Sequence, residues 1–411
     1  MTTSGGRIKE LDLDISGLKW AIQLPNPITA PPSINNDENS IYTLTDSESG
    51  SAVLNKLQLE DGSGLWRQRL EHSVIGSPVT RDGRVFLVAD GSLGSSTSTN
   101  NSGSRSRIVS YNTTGEQLWQ TPPRGGAVRI LGRKENSLFA GTSDDYLESR
   151  GEKLFAISTN GDIQWEVPAG DVMGGVIRKD MIIYNSGTSR IVSHNLDGSK
   201  KWAVPGMALG TSSYDIKTTN ELWFSRISSG RPQLVAYSFS GKEEWRYPVE
   251  SQSDLADPTG VSVSPPSLHP ERSEPVVVGA GFNGTIFALS SDGRELWTNK
   301  ISQRTRGDPN GPVVGNLVYV GDDGGIVHAL DPTNGDELWK DKLSGNPQLL
   351  PTSDGVLAYV YEEGSYTIQR YRNDGSKLWR YETNKEVTKP LISENQVQIG
   401  GKDGVLLSFK L

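Results

Sequence analysis

Apolar residues run along this chain in short stretches rich in Val, Ile, Leu, Tyr and Phe, and each stretch is closed by Gly, Asp, Asn, Ser or Pro. Such segments read as short strands bounded by turns. No region sustains apolar positions at a 3.6-residue period, so helices should be scarce. One unit shows the grammar. Gly311-Pro312-Val313-Val314 is a short extended piece, and residues 316–321 (NLVYVG) form a β-branched and aromatic strand. Asp322-Asp323-Gly324-Gly325 turns the chain into Ile326-Val327-His328-Ala329-Leu330. Asp331-Pro332-Thr333-Asn334-Gly335 turns it again, and Glu337-Leu338-Trp339 opens a fourth strand. The spacing predicts four short antiparallel strands per unit.

That unit repeats. Gly-x-x-x-Trp occurs eight times, at Gly62/Trp66, Gly115/Trp119, Gly161/Trp165, Gly198/Trp202, Gly241/Trp245, Gly293/Trp297, Gly335/Trp339 and Gly375/Trp379. Successive tryptophans stand 37 to 53 residues apart, and a shortened copy places Trp20 46 residues before Trp66. The tenth, Trp223, lies between Leu222 and Phe224 and reads as a core residue of a second strand. Glycine supplies positive φ in the turn between third and fourth strands. A four-stranded sheet cannot bury both faces alone, so the large indole belongs at the seam between neighbouring sheets. All nine periodic tryptophans are therefore assigned a blade-docking role.

Several first strands begin with small residues (Gly76-Ser77-Pro78, Gly125-Gly126-Ala127, Gly174-Gly175-Val176, Gly210-Thr211-Ser212), which suits strands crowded about an axis. The fold expected is all-β, a single closed β-propeller of four-stranded antiparallel blades spanning 1–411. Three strand-like pieces follow Trp379, and residues 18–24 could supply their fourth, closing the ring by pairing the N- and C-terminal strands. The strict count is nine blades. Eight is the alternative, with one degenerate unit or with Ile8-Lys9-Glu10-Leu11 stacked as an extra strand. Residues 1–13 form an N-terminal extension, and inserts are expected near 91–106 and 249–274.

Residues 329–339 (ALDPTNGDELW) resemble the repeat of the pyrroloquinoline-quinone (PQQ) type propellers, and the resemblance covers roughly 14–411. It implies that each Trp docks on a neighbouring blade. The family holds quinoprotein dehydrogenases and non-catalytic scaffolds, among the latter the propeller lipoprotein of the bacterial outer-membrane barrel-assembly machine. For the dehydrogenases the resemblance implies a calcium-bound quinone, an adjacent Cys pair and a catalytic Asp. Cysteine is absent here, and no Glu, Asn and Asp set matches those ligands. The chain accordingly resembles the non-catalytic branch, though without the Cys that anchors that branch's lipid.

Composition narrows the classes further. With 41 Lys and Arg against 49 Asp and Glu, the net charge is −8 and no basic stripe offers itself to a phosphate backbone. Apolar runs are too short to insert in a bilayer. His72, His194, His269 and His328 lack metal-ligand spacing, and Asp12, Asp14 and Ser16 alternate as a strand does. No nucleophile elbow, zinc-helix or phosphate-loop motif occurs. No catalytic, cofactor-binding or metal residue is assigned, and no cofactor is expected.

The reading is a non-enzymatic scaffold for protein–protein interaction in a larger assembly. The alternatives are a structural or receptor- or glycan-binding component of a surface appendage or virion, and a PQQ-dependent dehydrogenase-like enzyme. The N-terminus shows no apolar signal core, so a cytoplasmic place or one within an extracellular particle is expected. Candidate interaction residues are Arg304, Arg306 and Asp308 before a first strand, and His269 and Arg272 in the proline-rich stretch 249–274.

Overall fold

The structure is a computed structural model that describes residues 9–10, 15–46, 51–90, 105–143, 151–187, 190–208, 222–227, 233–248, 258–264, 276–281, 284–301, 312–393 and 395–411. Among these, nine antiparallel sheets form and no α-helix; Asn36–Glu38 makes a single 3-10 turn. No helix of the described residues is long and apolar enough to cross a membrane.

In seven sheets spatial order follows chain order, as it does for the four main strands of sheet 2, where Arg124–Gly125 pairs back on Arg105–Asn112. Sheet 1 covers 33–69, sheet 2 73–125, sheet 3 127–168, sheet 4 172–205, sheet 5 207–248, sheet 6 258–300, sheet 7 313–342 and sheet 8 348–383. Sheet 9 is built from both ends of the chain. Leu391–Ser393, Gln396–Gly400 and Val405–Lys410 supply three strands, and Leu18–Gln23 pairs antiparallel with Val405–Lys410 as the fourth. Lys9–Glu10 then adds a fifth strand on Leu18–Gln23. This extra strand belonged to the eight-blade alternative, yet it occurs beside nine sheets, because the outer edge of the terminal strand is open to pairing.

The chain divides into two compact units, one of residues 1–171 and 383–411, the other of 172–382. In the first, sheet 9 packs on sheet 1 through Trp20, Ile22 and Leu406 against Ile41, Leu57 and Leu59. Sheet 1 meets sheet 2 through Tyr42 and Leu54 against Val85, Leu87 and Val109, and sheet 2 meets sheet 3 through Phe86 and Ile108 against Leu138 and Phe155. In the second unit, sheets 4 and 5, 5 and 6, 6 and 7, and 7 and 8 are joined likewise by apolar clusters. The strand patterns follow from this stacking. Ser40–Asp46 and Ala52–Gln58 lie between neighbours and are buried on both faces, whereas the fourth strand Ile163–Pro168 alternates half-buried and exposed positions.

Two expected inserts are shorter than the sequence suggested. Arg105 and Ser106 already belong to the strand Arg105–Asn112, so only 91–104 of the first insert lies outside the described residues. Within 249–274, Pro258–Ser264 is the first strand of sheet 6 and pairs with Val276–Gly281. Its alternating Val261 and Val263 carry the strand signal that the surrounding prolines obscured. Leu222–Ile227 is the second strand of sheet 5, as expected, while the Trp223 side chain lies outside the described residues.

Candidate functional site

The repeated motif has one geometry in seven seams. Gly62, Gly115, Gly161, Gly241, Gly293, Gly335 and Gly375 take φ between +74° and +93°. A Cβ on each would come within 2.5 to 3.1 Å of an indole of the preceding sheet: Trp20, Trp66, Trp119, Trp202, Trp245, Trp297 and Trp339 in the same order. Positive φ and this close approach both select glycine. Each of these indoles donates its Nε1–H to a backbone carbonyl just before the glycine. The acceptors are Leu59, Thr113, Thr159, Phe239, Ser291, Pro332 and Asn373, at 2.7 to 3.2 Å. The ring thus gains an apolar bed and a partner for its one polar atom. Trp165 is half-buried beside Phe139, with ring centroids 6.1 Å apart, and Trp379 is buried with its carbonyl accepting from Gln369 Nε2.

A β-bulge precedes the indole. Pairing of third and fourth strands shifts register one residue before Trp20, Trp66, Trp119, Trp165, Trp202, Trp245, Trp297 and Trp339. The extra residue bends the fourth strand toward the next sheet. At Leu65, Leu118 and Leu338 that residue is an exposed leucine. Sequence reasoning passed over it, although the Leu-Trp dipeptide was the signal.

Polar ties reinforce some seams and sheets. Lys56, buried in sheet 1, donates to Glu38 at 2.8 Å and to the Thr113 carbonyl of sheet 2 at 3.1 Å. Tyr371 of sheet 8 donates to Asp341 of sheet 7 at 2.7 Å, and burial pushes its phenol far up from the ordinary value. Burial would raise the Asp341 carboxyl too, but Lys377 and Tyr371 hold it below its usual range. Arg370 is fully buried and pairs with Asp354.

His328, in the strand Ile326–Leu330, is 1% exposed, with Nδ1 2.7 Å from Glu337 and Nε2 3.3 Å from Asp322, itself fully buried. Asp322 also accepts from the Ile326 amide, and Glu337 from Lys340. Two strands of sheet 7 and the turn before them are tied through one imidazole. His194 is also buried, stacked on Tyr184. Histidine spacing alone could not reveal such partners, because they come from a turn and from another strand.

The remaining candidates cannot be placed: Arg304, Arg306, Asp308, His269 and Arg272 lie outside the described residues, as do Asp12 and Asp14. A quinone–calcium centre would need convergent carboxylates. Among the described residues no group of three or more His, Cys, Asp or Glu is disposed to hold a metal ion.

Comparison with known proteins agrees with this geometry. The family of outer membrane protein assembly factor BamB matches residues 4–105 and 282–410, more than half of the chain. The BamB of Shewanella oneidensis is 20% identical over 66% of this chain and 68% of its own length. That of Burkholderia pseudomallei is 27% identical over 30% of this chain, the match spanning only a third of its relative. The crystal structure of BamB from Moraxella catarrhalis superposes with a TM-score of 0.50 at 15% identity, covering 99% of this chain and 98% of that one, a likeness of fold. With the Gly-x-x-x-Trp unit built alike in sheet after sheet, the chain belongs to the outer membrane protein assembly factor BamB family of PQQ-like repeat proteins.

Proposed function

We propose that the chain is a non-enzymatic β-propeller scaffold that holds a protein partner within outer-membrane protein assembly. The observation carrying this reading is the family match over more than half the chain. The fate of the buried titratable groups supports it. His328, Asp322, Arg370 and Lys56 are each engaged in ties within a sheet or between neighbouring sheets, and buried polar groups so paired serve structure as readily as catalysis. In this reading the nine sheets are blades of one ring and 1–411 is one domain. Pairing of Leu18–Gln23 with Val405–Lys410 closes the ring, and the nine tryptophans lock the blades.

The outer membrane then replaces the cytoplasm or a particle exterior as the place of action. Receptor, glycan and virion roles draw no support from the relatives. Those relatives match over only a third to two-thirds of their own length, so the partner itself is for experiment to name.

The test is affinity capture from solubilised cell envelope with the full chain as bait. Recovery of outer-membrane assembly components is expected. A bait that returns no envelope protein would overturn the scaffold, and saturable binding of PQQ with Ca²⁺ and dye reduction would move the chain to the dehydrogenases.

A further inference from the structure

One hairpin is built unlike its neighbours. The second and third strands of sheet 8, Gly355–Glu362 and Ser365–Arg372, have eight residues each. Their counterparts are Val318–Gly321 and Ile326–Leu330 in sheet 7, and Val276–Gly281 and Thr285–Leu289 in sheet 6. At about 3.3 Å per residue, two additional residues per strand lengthen the hairpin by about 7 Å. The turn is stiff. Glu363 and Gly364 both take positive φ, 48° and 84°, the two-residue geometry whose twist matches that of the flanking strands.

The lengthened part is aromatic and acidic. Tyr361 opposes Tyr366 across the strands with ring centroids 4.6 Å apart, and Tyr359 stacks at 6.1 Å from Tyr366. Val356, Ala358 and Val360 face sheet 7, which leaves the alternate residues Tyr359 and Tyr361 on the opposite face. Tyr361 is 57% exposed. Glu362 and Glu363 beside it are exposed and form no ion pair among the described residues. The seam to sheet 7 is made by the other face, so stability does not call for this aromatic tip.

We propose that the tyrosine hairpin of sheet 8 is a docking surface for an extended segment of a partner protein bearing Arg or Lys. Tyrosine rings offer a negative face to a cation, and the two uncompensated carboxylates add long-range attraction. Rings already held by one another in a stiff hairpin lose little freedom on binding, which is why tyrosine recurs at such surfaces. The inference rests on the scaffold reading and adds the chemistry of what the scaffold holds.

The probes are fluorescent ten-residue peptides of alternating Arg and Gly, or of alternating Glu and Gly, titrated into the full chain at low and physiological salt. The Arg peptide binds and the Glu peptide does not. Tyr361→Ala weakens binding fivefold or more at both salts. Joint Glu362→Gln and Glu363→Gln weakens it at low salt and removes most of the salt dependence. The melting temperature stays at the parent's. Should Tyr361→Ala melt lower, Tyr361→Leu keeps apolar bulk and removes the π face, and is expected to bind as weakly. Binding unchanged in either Tyr361 variant, or lost with salt in the parent, overturns the proposal, since a chain of net charge −8 attracts any polycation. Envelope capture separates the two claims. Equal recovery by parent and Tyr361→Ala leaves the scaffold standing without this surface, whereas no recovery by either removes the scaffold.

Discussion

Sheets 6 and 7 share one backbone plan and solve one position differently. In both, the residue before the alanine that pairs with Trp is a ring: Phe287 in sheet 6 and His328 in sheet 7. In both, the fourth strand starts with a glutamate. Glu295 accepts from the Tyr247 hydroxyl of sheet 5 at 2.6 Å, and Tyr247 leans on Phe287 with centroids 4.9 Å apart. Glu337 instead takes His328 of its own sheet, with Asp322 behind it. At this position one sheet is held to its neighbour by apolar contact and a phenol, while the other is laced within itself by a histidine between two carboxylates. The repeat fixes where a ring must stand but leaves its chemistry open.

The comparison can be broken at its common part first. Trp297 is 7% exposed and joins sheet 6 to sheet 7, so Trp297→Ala is expected to cost about 3–5 kcal/mol in chemical denaturation. Next comes the part that differs. His328→Phe makes sheet 7 resemble sheet 6 but strands Asp322, at a cost of about 3 kcal/mol by the same measurement. Adding Asp322→Ala should return most of it, since removing both members of a buried pair is far milder than removing one. A double variant no better than the single would show that His328 contributes packing rather than charge. Gly335→Ala places a Cβ 2.5 Å from Trp297 at φ +80°, with an expected loss of about 2 kcal/mol.

The smallest effect is in pH dependence. Burial pushes the Glu337 carboxyl up, but Lys340 and His328 outweigh it and hold the group below its ordinary value. A depressed carboxylate stabilises the fold above its unfolded value of about 4, and that contribution disappears as pH falls through the folded value. Glu337→Gln should therefore flatten the acid limb of the melting temperature against pH. Asp341, held down by Lys377 and Tyr371, keeps part of the slope in that variant.

Most of the fold was legible because its determinants are local. A glycine in a two- or three-residue turn and an indole four positions later lie in one stretch of text, and seven seams carry both. The terminal strand exchange was legible for a related reason: three strands lacked a fourth and residues 18–24 lacked partners. What escaped depends on side chains brought together from separate strands and turns. Asp322, His328 and Glu337 meet only once the sheet is folded, and the tyrosine hairpin is visible only when its length is set against sheets 6 and 7. Pro258–Ser264 escaped for a local reason, since prolines on either side outweighed the alternating valines.

The pairing of Leu18–Gln23 with Val405–Lys410 has a consequence for how the molecule is made. Gln23 donates to the Asp403 carbonyl across 380 residues of chain. Every other sheet can form once its own stretch of chain is available, but this one must wait until Val405–Lys410 has been made. Until then a finished strand stands with an unsatisfied edge, open to chaperones or to a foreign strand. The native state is reached only after Val405–Lys410 has found Leu18–Gln23.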